Sequence, residues 1–173
     1  MAPAAVPDAE KTWDLLHFGW VAHYKRLDRF IAKFEALKRT NPRARALAVG
    51  RTDPDAKSAA QVARLRAAGV EVRGEVPSAR AASGEDRGTP EIPGRRRYAD
   101  LAYEINRARE VYLPASVVGG GERGVLEARS CGATVVVEPD NPKLAELADP
   151  ATPLYDHVYY ADRLEGAIRS VVR

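Results

Sequence analysis

The stretch Glu110-Val-Tyr-Leu-Pro-Ala-Ser-Val-Val-Gly-Gly-Gly-Glu-Arg-Gly-Val-Leu-Glu-Ala-Arg-Ser130 decides the fold of this chain. Its first five residues, up to Pro114, form a short run rich in β-branched and aromatic side chains, which reads as a strand. Three consecutive glycines, Gly119, Gly120 and Gly121, follow, and a helix opens at Glu122 and runs to Ser130. Ala133-Thr-Val-Val-Val137 then reads as another strand, so the segment is a strand, a glycine turn, a helix and a second strand. Two such strands joined by a helix lie parallel, because a parallel pair needs a crossover connection.

The same alternation extends in both directions. Toward the N-terminus the strands are Asp14 to Gly19, Ala46 to Gly50 and Val70 to Arg73. Between them lie an amphipathic helix from Lys25 to Thr40, ended by Asn41-Pro42, and a helix from Pro54 to Ala68 with Gly69 just beyond it. Gly74 to Arg97 has no periodicity and reads as a long loop, after which a helix spans Tyr98 to Arg107. Toward the C-terminus come a helix from Pro142 to Leu147, a strand from His157 to Tyr160 and a helix from Asp162 to Val172. Six strands alternating with six helices predict a single α/β domain over residues 13–173, preceded by a flexible lead-in at 1–12. The expected form is a doubly wound, Rossmann-like parallel sheet with strand order 3-2-1-4-5-6. That order opens a ligand crevice between the first and fourth strands, at the loops 20–24 and 115–121.

Composition excludes several functions. The 173 residues are 45% apolar and 29% charged with a net charge of +3, enough core for one domain and too few residues for two such lobes. Of the 27 cations 21 are arginine, scattered among 24 acids rather than gathered in a stripe, which argues against nucleic acid as the partner. A single cysteine, Cys131, forms no internal disulfide, and no Cys/His spacing suits a zinc ion; the expectation is a reducing, cytoplasmic setting without metal or other cofactor. No apolar run reaches the roughly 20 residues of a membrane span.

The glycine run is the strongest chemical signal. Glycines let the backbone approach a ligand closely, and a helix N-terminus presents free N–H groups that favour an anion, phosphate being the natural candidate. The plainer reading is a βα turn kept small for packing. The run is not a P-loop, which needs Gly-Lys-Ser/Thr, and the first strand is not followed by a dinucleotide fingerprint.

Leu126-Glu-Ala-Arg-Ser-Cys-Gly-Ala-Thr-Val-Val136 resembles the LEA-A-x-G-x-PVV segment of the GT-B-fold retaining glycosyltransferases of the group 1 family. Lys25-Arg-Leu-Asp-Arg-Phe-Ile31 is similar to that family's KG-x-D-x-LI helix start, and Pro42 to Gly50 to its strand after an NP pair. Val72 to Val76 resembles its x-x-G-x-V turn, and Tyr98 to Pro114 its LY-x-x-A-D-x-x-x-x-P unit. The resemblance runs in order from residue 13 to 173 and implies the C-terminal lobe of such an enzyme, which binds a nucleotide-diphosphate sugar, UDP- or GDP-linked. It implies Lys25 as the catalytic cation on the donor diphosphate, Glu127 as the carboxylate on the ribose hydroxyls and Gly74 beside the base. It also implies that the acceptor-binding lobe belongs to another segment or a partner chain.

Two positions depart from the family pattern. The second diphosphate cation, usually arginine, falls on Trp20, and the glutamate that contacts the donor sugar falls on Gly119. Arg26, Arg51 and Arg123 are the cations available as replacements, Glu122 the nearby carboxylate, and His23 a further phosphate contact, with Gly120 and Gly121 as the backbone approach. The departures leave two alternatives, a donor-binding transferase domain and a non-catalytic binding or assembly module on the same fold. A glycine loop collapsed onto Lys25 would count against the first.

Overall fold

The computed structural model describes residues 10–74, 98–154, 158–159, 161–163, 165 and 169, with the burial of residues 98–100 left aside. Its strands are β1 (Trp13–Phe18), β2 (Ala46–Val49), β3 (Glu71–Arg73), β4 (Ala108–Leu113) and β5 (Thr134–Val137). Its helices are α1 (Leu27–Thr40), α2 (Ala56–Ala67), α3 (Tyr98–Asn106), α4 (Glu122–Ser130) and α5 (Pro142–Ala148), with a short 3-10 turn at His23–Lys25. The strands form one sheet in the order β3-β2-β1-β4-β5, and every pair is parallel.

Among the described residues the expected architecture therefore holds for five of the six strands. Of the strand expected from His157 to Tyr160, the described residues Val158 and Tyr159 are helical. Arg163 reaches back one turn to donate to the Tyr159 hydroxyl at 3.1 Å, and pairs with Glu146 on α5 at 2.8 Å. A four-residue apolar run carries no period that separates strand from helix, which is why the sequence misleads here. Within the long loop expected at 74–97, residues 75–97 lie outside the described residues. Of the expected lead-in, Lys11 and Thr12 are tied down. Thr12 N–H donates to the Arg107 carbonyl at 2.9 Å, and Lys11 Nζ to the Asn106 carbonyl at 2.6 Å.

β1 is the middle of the sheet and five of its six residues are buried, as expected of a strand covered on both faces. On one face Leu16, Phe18, Val49, Val111 and Leu113 pack under Ile105 of α3, Val125 and Ala128 of α4 and Leu144 of α5. On the other, Leu15, Ala46, Ala48 and Tyr112 pack under Leu27, Phe30, Ile31 and Phe34 of α1 and Leu65 of α2. α1 leads from β1 toward β2 and α4 from β4 toward β5, on opposite faces and in opposite directions along the sheet. The loops leaving β1 and β4 therefore diverge above two hydrogen-bonded neighbours, Leu15 beside Glu110 and Leu16 beside Val111.

His17 lies in this central strand, 3% exposed, edge-on to Phe30 at 5.9 Å, with Nδ1 donating to the Tyr112 carbonyl at 3.3 Å. Burial pushes its imidazole from 6.5 down to about 4, so it is neutral in the fold at physiological pH. The unfolded chain takes up this proton below pH 6.5 and the folded one only near 4. Stability from this group is therefore complete above 6.5 and lost as the pH falls toward 4, by about 3 kcal/mol. Urea unfolding across that interval should show the loss in the native protein and its absence in His17→Leu, which keeps the volume without the titrating ring. An undiminished slope in the variant would place the acid sensitivity elsewhere.

Candidate functional site

The loop after β1 is built by main-chain ties before any side chain matters. Gly19 N–H donates to the Val49 carbonyl at 3.0 Å and Val21 N–H to the Arg51 carbonyl at 2.8 Å, so the loop runs beside the one that follows β2. Val21 and Ala22 are fully buried, which plants the His23–Lys25 turn on the sheet's carboxyl edge. The expected helix from Lys25 to Thr40 is divided here. Lys25 closes the 3-10 turn, Arg26 is left-handed at φ 55° and ψ 38°, and α1 starts at Leu27. Arg26 is the one non-glycine residue with positive φ among the described residues, at a cost of about 1–2 kcal/mol that an L side chain incurs in this conformation. Nothing in the sequence signals the break, because the position holds neither glycine nor asparagine.

The left-handed residue swings Lys25 over the strand gap to the glycine loop, where its ammonium donates to the Gly119 carbonyl. That loop is a tight turn closed by Gly119 N–H on the Ser116 carbonyl at 2.8 Å. Gly120 faces the lysine: a Cβ there would lie 3.8 Å from Lys25 Nζ and 3.7 Å from Glu122 Oε2. Gly121, at φ 125°, caps α4 and lies so close to Leu144 that an added Cβ would come within 3.2 Å of its Cδ1. Of the run, Gly120 thus leaves space between a cation and a carboxylate, while Gly121 serves packing. Burial lowers the Lys25 ammonium below its ordinary range, with the Glu122 charge partly offsetting this. Glu122 is held below the carboxylate range first by its own backbone N–H at the start of α4, and also by Lys143 at 3.3 Å.

The remaining sequence candidates are placed less uniformly. Arg51 lies 5.1 Å from the centre of the Trp20 ring, which brings its charge to the edge of the same loop. His23 Nδ1 is 3.8 Å from Asp55, the residue that caps α2 by accepting from Lys57 and Ser58 N–H at 2.9 and 3.0 Å. That cap also moves the helix start expected at Pro54 to Ala56. Glu127 is paired with Arg123 one turn earlier on α4, at 2.7 Å, and stands about 7 Å along the helix from Glu122. Gly74 follows β3, where an added Cβ would overlap the Gly50 carbonyl oxygen, just as one on Gly50 would overlap that of Gly19. Its smallness is explained by the stacking of three strand ends.

The loop after β5 contributes residues that sequence reasoning missed. Arg26 grips Asp140 in a two-pronged pair, Nη1 to Oδ1 and Nη2 to Oδ2, each 2.9 Å. Arg29 pairs with Glu138, which also accepts the Tyr112 hydroxyl. Asn141, 1% exposed, donates Nδ2 to the Ala115 carbonyl at 3.0 Å and caps α5 through Oδ1 on Leu144 N–H at 3.3 Å. The cap was readable from Asn141 before Pro142; the pairing of Arg26 with Asp140, 114 residues away, carries no local signal.

Away from this edge, an open groove of about 440 Å³ lies at the start of β1 and β4, beside Lys33 and Leu37 of α1. Its charges are matched internally, Lys33 with Glu110 at 2.9 Å and Arg109 with Asp14 at 3.4 Å. Among the described residues no group of three His, Cys, Asp or Glu side chains can hold a metal ion, and no helix is long and apolar enough to cross a membrane. Comparison with protein-family models and with curated proteins finds no match to the chain.

If Gly74 is a packing residue, Gly74→Ala should lower unfolding stability by about 2–3 kcal/mol, from overlap together with a disfavoured φ of 129°. Lys25 should titrate in that variant as it does in the native chain. A melt unchanged within error would remove the packing explanation.

Proposed function

We propose that the carboxyl edge between β1 and β4 binds the diphosphate of a nucleotide-diphosphate sugar, as the donor lobe of a GT-B glycosyltransferase does. The observation that carries this reading is the convergence of Lys25 and Glu122 on Gly120, a half-buried cation and a carboxylate flanking a position without a side chain. Two further features support it. Arg26 is left-handed at the place where the resembling family has glycine, the residue that prefers this conformation. Arg51 stacks on Trp20, the position of the family's second diphosphate cation, and so supplies a charge there from the neighbouring loop.

In this reading the ammonium of Lys25 and the first-turn N–H groups of α4 stabilise charge where it develops, on the diphosphate oxygen that leaves. The bond from the anomeric carbon to that oxygen breaks with its electron pair staying on the diphosphate. The anomeric carbon bonds to an acceptor oxygen, whose proton passes to a base of the acceptor-binding lobe. Glu127, about 7 Å farther along α4 than Glu122, is the carboxylate assigned to the ribose hydroxyls. Glu122 is the carboxylate nearest the sugar. No step calls for a metal.

One observation favours the second reading, a non-catalytic binding or assembly module. Lys25 already donates to the Gly119 carbonyl, and Glu122 already occupies the start of α4 through its own N–H, so an incoming diphosphate must open the loop. Calorimetry separates the two. The donor reading expects UDP or GDP to bind at micromolar concentration, with Lys25→Ala weakening binding 10- to 100-fold, equivalent to about 1.4–2.7 kcal/mol. Glu127→Ala should weaken binding of the nucleoside diphosphate and leave inorganic pyrophosphate unaffected. Heat signals absent for every nucleotide would leave the module reading standing.

A further inference from the structure

Lys25 reaches the glycine loop from a turn whose next residue, Arg26, holds a backbone conformation that an L residue avoids, and something must compensate for that. The turn itself supplies little: α1 has no side-chain cap at its start, and Arg26 closes the turn with one main-chain bond, its carbonyl accepting from Arg29 N–H at 2.9 Å. What fixes Arg26 is its side chain, one-fifth exposed and forked onto both oxygens of Asp140. A bidentate guanidinium–carboxylate pair sets orientation as well as distance, so it restrains the residue that bears it. Asp140 is itself well anchored. The preceding Glu138 is held by Arg29 and Tyr112, and the following Asn141 is buried on the Ala115 carbonyl at the root of the glycine loop. Glu138-Pro-Asp-Asn141 therefore grips the Lys25 turn with one residue and the glycine loop with the next.

We propose that Asp140 is a positioning residue for Lys25: through Arg26 it holds the left-handed turn that aims the ammonium at the glycine loop and sets the gap between the two halves of the site. It touches no ligand. The same pair keeps the Arg26 guanidinium turned to the β5 loop, so Lys25, and not Arg26, is the cation presented at Gly120. The assignment rests on the donor-site reading only for its consequence in binding; the mechanical link between Asp140 and Lys25 is a property of the free chain.

The test is a double-mutant cycle read on Lys25 itself, by nitrogen-15 NMR titration of its ammonium in the absence of ligand. The groups facing that ammonium are the Glu122 carboxylate, the Gly119 carbonyl, the Tyr24 ring, whose centre is 5.5 Å away, and the buried His17 imidazole, which is neutral where a lysine titrates. Asp140→Ala should release Lys25 toward solvent and raise its titration midpoint toward the ordinary lysine range, and Asp140→Asn should do so to a smaller extent. Arg26→Gly should leave the native midpoint unchanged, because glycine adopts the left-handed conformation without help. In the Arg26→Gly background Asp140→Ala should have no further effect. A native midpoint in Asp140→Ala, or an equal shift with and without Arg26→Gly, overturns the proposal.

A calorimetric arm with UDP keeps the two readings apart. Asp140→Ala should weaken UDP binding about 5- to 10-fold and Arg26→Gly should restore it. If no UDP binds to any variant while the Lys25 titration follows the cycle, the donor reading fails and the positioning role of Asp140 stands.

Discussion

The pairing of β1 with β4 is the constraint on which the rest of this structure depends. These strands are separated by about ninety residues of chain, yet their main chains are hydrogen-bonded neighbours at the centre of the sheet. Because both are buried on two faces, neither can shift without exposing apolar side chains to water, and a slip of one residue would reverse which face each side chain meets. The loops at their carboxyl ends are thereby fixed opposite one another. Lys25 from one and Gly119 to Glu122 from the other meet because their strands do, and the contacts between them are made by short reaches from rigid positions.

Much of this was legible in the chain because buried parallel strands announce themselves as brief runs of Val, Leu, Ile and Ala between amphipathic helices. The alternation around Gly119 to Gly121, the central place of Asp14 to Gly19 and the strand order through the fifth strand all follow from it. The pattern failed where a signal is local and ambiguous. His157 to Tyr160 is equally apolar for strand and helix, and its described residues are helical. It failed again at Arg26, where the apolar spacing of Leu27, Phe30, Ile31 and Phe34 runs on without interruption while the backbone breaks. The break is imposed by an ion pair with a residue 114 positions away, and no window of sequence contains both partners.

The site divides along the same line. Lys25, Gly120 and Glu122 could be named from a strand edge, a glycine run and a helix start, and the fold brings them together. Gly74 was singled out for its type, and its type is accounted for by the carbonyl of Gly50. Glu138 and Asp140 were invisible because acids after a strand are ordinary, and Asn141 was legible only as a cap; their long-range partners are what distinguish them. Electrostatics add a balance that composition does not disclose. The cations of this edge are mostly matched by acids, Arg26 by Asp140, Arg29 by Glu138 and Lys143 by Glu122, while Lys25 is held chiefly by a neutral carbonyl.

The row formed by Gly19, Gly50 and Gly74 has a consequence for how this surface can diversify. Each of the first three strands by spatial rank leaves the sheet through a glycine at positive φ, and the carbonyls of Gly19 and Gly50 fill the space that a side chain on Gly50 and Gly74 would need. That half of the rim is therefore a lip of bare peptide, closed to side chains by overlap at Gly50 and Gly74 and disfavoured at Gly19 by its φ of 111°. Descendants of this sequence that acquire new specificity have room to write it on the other half, in the segment after β4, where Val117 and Val118 face solvent and substitution meets no such barrier. The molecule thus separates an invariant frame from a mutable one within a single edge of a single sheet.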